Sequence, residues 1–492
     1  MNTLGLTQRL HSQAQWPLFT AAQTRRIEAE AQATLPAYTL MQRAGLATAQ
    51  LALAIAPHAQ KIWIACGPGN NGGDGLEAAV HLHALGKHPV ITWLDQDGHR
   101  PADARQAWQR ANAAGVTVTQ QIPEHFDLAI DALLGMSAQR PPEGRMAQWL
   151  DALQTTPAPV LCVDVPTGLN ADSGEWLGTT KAQTNTPQRH TLSLLTLKPG
   201  LFTADGRDAC GQVWFNDLHV HTTHTCDAWL QQDIATRKNR AHNTHKGSYG
   251  DVSVIGGAQG MSGAAALAAL AALHGGAGRV FAGVIDAAAR HAITAAHLPL
   301  MVRSPDELNL QTSTVVCGCG GGEEVQALLA NVLSSSPQLA LDADALNAVA
   351  RDTSLQRLLL KRSARHKTTV LTPHPLEAAR LLNSTVENVQ HNRLLAAQQL
   401  ADKFQCVVVL KGSGSIIASP HHTPVINCSG NALLSTAGTG DVLAGLIAAY
   451  IARHDDAFEA TCQAVFTHGR VADTWPNTAP ALDAALLAAS VR

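Results

Sequence analysis

Short apolar runs alternate with helical patterns along the whole chain, and this predicts α/β sheets with parallel strands. In the first half, the runs predict strands at Lys61–Ala65, Val90–Leu94, Val116–Thr119, Leu128–Ala132, Pro159–Val163, Thr191–Leu195 and Gln212–Phe215. In the second half, they predict strands at Val252–Ile255, Arg279–Val284, Thr314–Cys317, Leu339–Leu341, Thr369–Leu371 and Val407–Leu410. Helical periodicity separates most of these runs, as it does from Leu76 to Leu85.

A glycine-rich segment follows the first of these strands. Gly67–Gly75 reads Gly-Pro-Gly-Asn-Asn-Gly-Gly-Asp-Gly and precedes the helix predicted from Leu76. A strand, a glycine-rich loop and a helix form the unit that binds phosphate in many α/β proteins. The side-chain oxygens of this loop also suit a small cation. The structural alternative is a tight turn held by Asn and Asp side chains.

Two further strands of the first half end in an aspartate. Asp131 closes one of them, and Asp164 follows the next, three residues before Thr167. Ligands of open α/β sheets bind beyond the carboxyl ends of the strands. We therefore expect Asn71 to lie in one crevice with these three residues.

In the second half, Ser435–Leu446 reads as a loop that turns into a helix. Gly438 and Gly440 permit backbone angles that side chains forbid, and free N–H groups at the start of a helix bind anions. Asp441 is placed to take a proton from a hydroxyl as phosphate arrives. The alternative is that Asp441 only caps the helix.

Two other strand ends of the second half carry candidate side chains. His374 is held between two prolines, as in a binding site, although a turn would explain it equally well. Lys411 opens a Gly-Ser loop and is a candidate contact for phosphate.

Composition limits the classes of function. A chain of 492 residues is expected to form two domains, and a net charge of −3 gives no case for binding nucleic acid or anionic membrane. No apolar run is long enough to cross a bilayer, and the N-terminus does not resemble a signal peptide. Nine cysteines, an odd number without a paired framework, indicate a reducing cytoplasm. We expect no metal site at Cys317 and Cys319, because no second pair accompanies them.

The composition changes between the two halves. Residues 219–243 are rich in His, Thr, Gln and Arg and show no clear period, which is typical of a linker. We therefore expect one domain over residues 1–222, a linker over 223–243 and a second domain over 244–492.

Nine motifs in order along nearly the whole chain resemble the bifunctional NAD(P)H-hydrate repair enzymes. In the first half they are Leu40–Gly45, Gly67–Gly75, Asp131–Gly135 and Val163–Gly168, and in the second half they are Lys246–Gly250, Leu341–Asn347, Thr372–Glu377, Leu410–Ser415 and Ala437–Asp441. The resemblance implies an N-terminal Rossmann-like α/β domain that acts as an epimerase. It also implies a C-terminal ribokinase-like α/β domain that acts as an ADP-dependent dehydratase.

For the first domain, the resemblance implies interconversion of the R and S forms of hydrated NADH and NADPH (NADHX and NADPHX). Asp164 would contact the reacting ring as a catalytic residue, and Asn71, Asp131 and Thr167 would ligate a potassium ion. The hydrated cofactor would be held by Asn70, Asn71, Gly72, Gly73 and Asp74, and by Gly135, Met136, Ser137, Ala138, Gln139, Arg140 and Pro141.

For the second domain, the resemblance implies dehydration of the S hydrate. ADP would be the phosphoryl donor, with Mg²⁺ expected beside it, and Asp441 would be the base. Ala264, Gly320 and His374 would contact the hydrate. The nucleotide would be held by Lys411, Gly412, Ser413, Gly414, Ser415 and Gly440. The resemblance also leads us to expect a homo-oligomer.

Three positions depart from the family pattern. Gly135-Met136-Ser137 stands where the family usually has Gly-Thr-Gly, which calls into question a close backbone approach to the cofactor phosphates. Thr167 occupies a position where the family usually has serine, so the side-chain hydroxyl is kept. Gly318–Gly322 stands where the family usually has Gly-Pro-Gly-Leu-Gly, so Cys319 replaces proline and Gly321 replaces leucine. The glycines are kept, and we expect a looser loop there.

Two rival functions follow from the same residues. One is a ribokinase-like kinase for a vitamin precursor, with a non-catalytic N-terminal binding domain, although such kinases lack the first domain. The other is a binding module, because relatives of the first domain serve as protein or RNA scaffolds. The set of Asn71, Asp131 and Asp164 favours an enzyme over a scaffold.

Overall fold

The computed structural model describes residues 5–10, 14–94, 100–178, 188–231, 233, 242–454 and 456–491. The chain divides between Ala228 and Trp229 into two compact units, and Ala14 and Gln15 group with the second. Residues 232 and 234–241 of the expected linker lie outside the described residues.

The first unit is built on a sheet with helices between its strands, and all of its strands except β2 belong to this sheet. The strands are β1 (Gln8–Arg9), β2 (Trp16–Leu18), β3 (Lys61–Cys66), β4 (His88–Trp93), β5 (Thr117–Thr119), β6 (Leu128–Ala132), β7 (Val160–Val163), β8 (Arg189–Leu194) and β9 (Gln212–Asn216). The helices are α1 (Ala21–Thr34), α2 (Thr39–Ile55), α3 (Asn70–Ala84), α4 (Ala102–Ala113), α5 (Gly144–Thr155) and α6 (Gly206–Ala209), with a 3₁₀ turn at Pro199–Leu201.

The strand order in this sheet reverses at one point. The order is β1-β9-β8-β7-β6-β3-β4-β5, and all neighbours are parallel except β1 and β9. After β3 the chain builds outward through β4 and β5, and after β6 it builds in the other direction. The crevice of such a sheet lies beyond the carboxyl ends of the two strands at the reversal. Here these strands are β3 and β6.

The second unit has a larger sheet. Its strands are β10 (Ala228–Leu230), β11 (Asp251–Gly256), β12 (Arg279–Val284), β13 (Met301–Arg303), β14 (Thr314–Cys317), β15 (Gln338–Leu341), β16 (Thr368–Leu371), β17 (Val407–Leu410), β18 (Ile416–Ser419) and β19 (His422–Ile426). Its helices are α7 (Ser262–His274), α8 (Ala289–Ala296), α9 (Val325–Ser335), α10 (Ala343–Arg351), α11 (Thr353–Ser363), α12 (Pro375–Leu382), α13 (Val386–His391), α14 (Arg393–Phe404), α15 (Thr439–Ile451), α16 (Ala457–Asp473) and α17 (Ala484–Ser490).

This sheet also reverses once. The strands run in the order β13-β12-β11-β14-β15-β16-β17-β18-β19-β10. The pairs β17–β18 and β18–β19 are antiparallel, and the other pairs are parallel. The reversal lies between β11 and β14, so the crevice is expected beyond the ends of these strands.

Every predicted strand is present, with ends shifted by at most two residues. The predicted start of one helix was wrong, because α3 begins at Asn70 and not at Leu76. A Cβ on Gly72 would lie only 1.9 Å from the carbonyl oxygen of Gly67, so the first turn packs too closely for side chains. Helix propensity does not predict this first turn, because glycine is a poor helix former. Tertiary packing around the glycines stabilises the turn instead. The pattern also missed the short strands β1, β2, β10, β13, β18 and β19.

Among the described residues, no helix combines the length and the apolar character needed to cross a membrane.

Helices α7 and α15 approach each other very closely in the second unit. An added Cβ on Gly445 of α15 would lie 2.0 Å from the carbonyl oxygen of Ala268 in α7. Small residues on both helices therefore allow backbone contact, and most of α15 is buried.

Gly445→Ala should destabilise the second unit by about 1–3 kcal/mol, because the methyl group overpacks this contact. Gly263→Ala is the matched control, since an added Cβ there meets nothing within 4 Å. Alanine at position 263 of α7 should stabilise the unit by up to about 1 kcal/mol through helix propensity. Denaturant unfolding of the full chain measures both, and equal effects would contradict the packing argument.

Candidate active sites

The first candidate site lies at the strand reversal of the first unit. Asn71 follows β3, Asp131 lies in β6 and Asp164 follows β7, which are adjacent strands. A cavity of about 430 Å³ opens there. Among the predicted residues, those lining it are Asn70, Asn71, Asp74, Gly135, Met136, Ser137, Ala138 and Asp164.

The remaining predicted residues of this unit do not line the cavity. Gly72 and Gly73 are buried. A Cβ on Gly73 would lie only 2.7 Å from Cε of Met41, so the chain packs closely there. Gln139, Arg140 and Pro141 are exposed on the loop beyond Ala138.

Asp131 and Thr167 form a buried pair beside the cavity. The Thr167 hydroxyl donates to Oδ1 of Asp131 over 2.6 Å, and its backbone N–H donates to Oδ2 over 3.0 Å. Burial raises the pKa of Asp131, although the hydrogen bonds from Thr167 oppose this shift. The side-chain nitrogen of Asn71 is also buried and has no hydrogen-bond partner. The pocket thus contains a buried carboxylate and a buried amide nitrogen that has no hydrogen-bond acceptor within the protein.

Asp164 has a strained backbone and several hydrogen-bond partners. Its φ is +65°, in the left-handed region that non-glycine residues seldom adopt. Oδ2 accepts from the backbone N–H of Met136 over 3.2 Å. Oδ1 accepts from Lys198, which is fully buried and forms an ion pair with it. Strain of this kind is typical of functional positions.

Lys198 is a site residue that sequence reasoning missed. It lines the cavity beside Asp164, although it lies 34 residues further along the chain. The available signal was a lysine next to Pro199 and Gly200, between two predicted strands of apolar character.

Three more carboxylates line the cavity, namely Glu28, Asp74 and Asp103. Burial and the charge of Asp164 raise the pKa of Glu28. The same two causes raise the pKa of Asp74 well above its ordinary value. The cavity therefore contains carboxyl groups that hold protons more tightly than usual, beside one carboxylate that is paired with a lysine.

The second candidate site surrounds the start of α15 in the second unit. The helix begins at Thr439, and its N-cap is Gly438, with φ of +88°. Asp441 is the third residue of the helix and makes no capping hydrogen bond there. The alternative that Asp441 is the N-cap is therefore wrong, and its carboxylate is free to act elsewhere.

A buried ion pair lies beside this helix start. Nζ of Lys411 donates to Oδ1 of Asp342 over 2.6 Å, and the Thr372 hydroxyl donates to the same oxygen over 2.7 Å. A Cβ on Gly440 would lie 3.5 Å from Nζ of Lys411. The ammonium group and the start of α15 thus face one space, and both favour an anion there. Sequence reasoning recorded Asp342 only as part of a strand-end motif.

Asp441 lies within the same cluster. One carboxylate oxygen of Asp441, one of Asp342 and Sγ of Cys319 all lie within 4.8 Å of one another. Burial and the charge of Asp342 raise the pKa of Asp441 to about 6, while Cys319 and Lys411 lower it. A carboxyl group with this pKa can accept a proton near neutral pH.

Ala264 and Gly320 lie together where the loops after β11 and β14 meet. A Cβ on Gly320 would lie 2.9 Å from Cβ of Ala264, so a side chain there would fill this space. The adjoining loop is ordered by hydrogen bonds from Gly257 N–H to the Cys319 carbonyl over 3.0 Å and from Ala258 N–H to the Gly320 carbonyl over 2.7 Å. These bonds tie the carbonyl groups of Cys319 and Gly320 to the loop after β11, while the expectation of a looser loop stays a prediction.

His374 caps helix α12. Its Nδ1 accepts from the backbone N–H of Leu376 over 3.1 Å, and Glu377 accepts from the His374 N–H over 2.8 Å. Burial raises the pKa of Glu377 to about 7, because the nearby charge of Lys411 only partly offsets the loss of water. The turn interpretation of His374 is thus confirmed, while nearly half of the imidazole remains exposed and can still meet a ligand.

The Gly-Ser loop after β17 begins at Lys411. Gly412 and Gly414 have positive φ, of +145° and +63°, and the Ser415 hydroxyl accepts from the Gly412 N–H over 3.3 Å. Ser413 is exposed, and Gly414 is buried. The loop is a compact turn whose first residue reaches the anion space described above.

Comparisons with known proteins give one family for each unit. Residues 37–200 match the family described as YjeF-related protein N-terminus, and residues 252–491 match the family described as NAD(P)H-hydrate dehydratase.

Several relatives match most of the chain. The chain is 35% identical to the bifunctional NAD(P)H-hydrate repair enzyme Nnr of Escherichia coli, over 89% of this chain and 85% of that protein. It is 32% identical to the enzyme of the same name from Coxiella burnetii, over 93% of this chain and 94% of that protein. A solved structure of an ADP/ATP-dependent NAD(P)H-hydrate dehydratase from Bacillus subtilis is 29% identical over 51% of this chain and 91% of its own, with a TM-score of 0.46.

Replacing His374 should separate its capping role from any contact with a ligand. His374→Ala removes the acceptor for two backbone N–H groups and should cost about 1 kcal/mol of unfolding free energy. His374→Asn is the matched control, because Asn is a strong N-cap and should retain most of the stability. Denaturant unfolding tests this, and equal losses in both variants would contradict the capping role.

Proposed function

Since this chain belongs to the family of bifunctional NAD(P)H-hydrate repair enzymes, we propose that its first unit epimerises hydrated NADH and NADPH and its second dehydrates the S form. The two predicted α/β fold classes are confirmed. One family model matches the first unit and another matches the second. The observation that carries the proposal is that a single chain holds both carboxylate sites, each at the strand reversal of its own sheet. The rival kinase would need no site in the first unit.

Epimerisation requires that the hydroxyl group of the hydrate gain a proton when it leaves and that the returning water lose one. Water adds to the enamine of a reduced nicotinamide ring at the carbon next to nitrogen, so that carbon carries the hydroxyl. When the hydroxyl receives a proton, it leaves as water with the C–O electron pair, and the nitrogen lone pair stabilises the planar carbon. Water returns on the other face and gives up a proton. Asp164 is the proposed acceptor of that proton, and Asp74 is a donor in reach of the cavity.

The residues of the first unit fit a potassium ion. Asp131 is a buried carboxylate that receives hydrogen bonds only from neutral groups among its recorded partners. Asn71, Asp131 and Thr167 would hold the ion through oxygen, the ligand type that hard cations prefer. A bound cation would neutralise the buried charge of Asp131.

Dehydration in the second unit would use the β-phosphate of ADP. Asp441 takes the proton of the substrate hydroxyl, whose oxygen attacks the β-phosphorus, and AMP leaves with the bridging oxygen. The new phosphate ester then departs as inorganic phosphate, and the neighbouring carbon loses a proton to restore the double bond. The sum is hydrate plus ADP giving reduced cofactor, AMP and phosphate.

The nucleotide is proposed to bind where the anion space opens. Lys411 and the first N–H groups of α15 would face its phosphates, and the loop of Gly412, Ser413, Gly414 and Ser415 would hold the rest. Mg²⁺ is proposed to accompany the phosphates, which are its usual ligands. Ala264, Gly320 and His374 would meet the hydrate.

Three further expectations belong to this proposal. Residues 1–222 would form the epimerase domain and residues 244–492 the dehydratase domain. The chain would act in the cytoplasm, and its nine cysteines are indeed all free thiols. We also propose a homo-oligomer.

Asp441→Asn tests the second activity. Wild type, given mixed R and S hydrate with ADP, should restore the absorbance of the reduced ring and release AMP. Its rate should rise as the pH increases through about 6, because Asp441 must lose its proton to act as a base. The Asn variant should lose about 10²–10⁴-fold in rate and bind ADP normally. With ATP supplied in place of ADP, formation of ADP and a stable phospho-product would instead favour the kinase. Near wild-type turnover by the variant would refute Asp441 as the base.

Asp131→Ala tests whether the two sites are separate. Without this carboxylate the ion site of the first unit should fail, so conversion of R hydrate should weaken and should no longer respond to potassium. Dehydration of pure S hydrate should be unchanged, because Asp131 lies in the other unit. The measurement compares both substrates in potassium and in choline buffers. An equal loss with both substrates would contradict separate sites.

A further inference from the structure

Lys198 is a buried lysine whose donors are all directed to acceptors. The residue is fully buried. Its ammonium group contacts Oδ1 of Asp164, the carbonyl oxygen of Leu194 over 2.8 Å and the hydroxyl of Ser193 over 3.4 Å. Three acceptors match the three N–H bonds of an ammonium group. The position of the charge is therefore fixed by the fold of the segment between β8 and the 3₁₀ turn.

Lys198 is also the only basic residue among the described residues that line the cavity. The acidic groups that face the same space come from three helices, with Glu28 on α1, Asp74 on α3 and Asp103 on α4. Among the described residues that line the cavity, Asp164 is the one carboxylate in a recorded ion pair with a lysine or arginine. A buried charge is costly without a partner, so this arrangement distinguishes Asp164 from Glu28, Asp74 and Asp103.

The ion pair determines which oxygen of Asp164 can reach a ligand. Oδ1 is taken by Lys198 and by the Leu194 N–H, at 3.4 Å. Oδ2 accepts only the 3.2 Å bond from Met136 among its recorded partners, which leaves one lone pair. A Cβ on Gly135 would lie 3.2 Å from this Oδ2 and 3.0 Å from Oδ1 of Asn71. The two oxygens thus border the same point, and glycine at position 135 keeps that point open.

We propose that Lys198 is a positioning residue for the reaction of the first unit. It holds Oδ1 of Asp164, so that Oδ2 faces the open point beside Gly135, where the reacting hydroxyl of the substrate binds. The inference rests on the proposed epimerase function and adds a residue to it. Lys198 acts through Asp164 and does not exchange a proton with the substrate.

The test is a double-mutant cycle on the full chain with Lys198→Met and Asp164→Asn. Pure R hydrate is supplied with ADP, and return of the reduced-ring absorbance reports epimerisation, because the second unit consumes only the S form. The rate without enzyme is subtracted. Lys198→Met should lower kcat by about 10²-fold with little change in KM, since the catalytic oxygen is misplaced and the substrate contacts remain. In the Asp164→Asn background the same substitution should cost nothing further.

Ser193→Ala is the matched control. It removes the longest of the three contacts of Nζ and leaves the ion pair intact, so kcat should fall far less than in Lys198→Met. Lys198→Gln keeps a hydrogen-bond donor without the charge and should retain more activity than Met. If the Met variant does not fold, as shown by its melting temperature, the Gln variant enters the same cycle.

The outcomes separate the inference from the function on which it rests. A folded Lys198 variant with wild-type kcat would overturn the positioning role, and so would equal losses in the wild-type and Asp164→Asn backgrounds. Absence of R-to-S conversion by the wild-type chain would instead overturn the epimerase function itself.

Discussion

The reversal of strand order determines where each unit can carry out chemistry. In a parallel sheet the connecting helices cover both faces, and only where neighbouring strands send their chains in opposite directions does a crevice stay open. The first unit has this crevice between β3 and β6, and the second has it between β11 and β14. The polar residues that follow the strands around each crevice meet because the sheet brings them together, although they are far apart in the sequence.

Both crevices are built around a buried pair of aspartate and lysine. Asp164 pairs with Lys198 in the first unit, and Asp342 pairs with Lys411 in the second. In each case a further carboxyl group lies nearby, and burial together with the charge of a neighbouring aspartate raises its pKa. In both units the lysine lowers the pKa of that second group, so burial and the neighbouring aspartate outweigh the lysine.

Sequence predicted the strands and the polar residues that follow them, because apolar runs and turn residues are local signals. It placed Asn71, Asp131 and Asp164 near one crevice, and in the structure they lie at the ends of adjacent strands. It did not identify Lys198, since the choice of an ion-pair partner depends on tertiary distances that no local pattern contains. It also placed the start of α3 six residues too late, because close packing of glycines outweighs their poor helix propensity. The contact of Cys319 with Asp441 was missed for the same reason as the ion pair.

Cys319 shows how a departure from a family pattern can acquire a chemical role. The glycines on either side keep positive φ, of +118° at Gly318 and +56° at Gly320, so the loop follows its path without proline. Burial raises the pKa of the Cys319 thiol well above its ordinary value, so the thiol stays protonated. Its S–H group can therefore donate a hydrogen bond to Asp441. This hydrogen bond lowers the pKa of Asp441 and opposes the larger effect of burial, which raises it. Proline has no side-chain donor, so this hydrogen bond would let Asp441, as the proposed base, act at a lower pH than burial alone would allow.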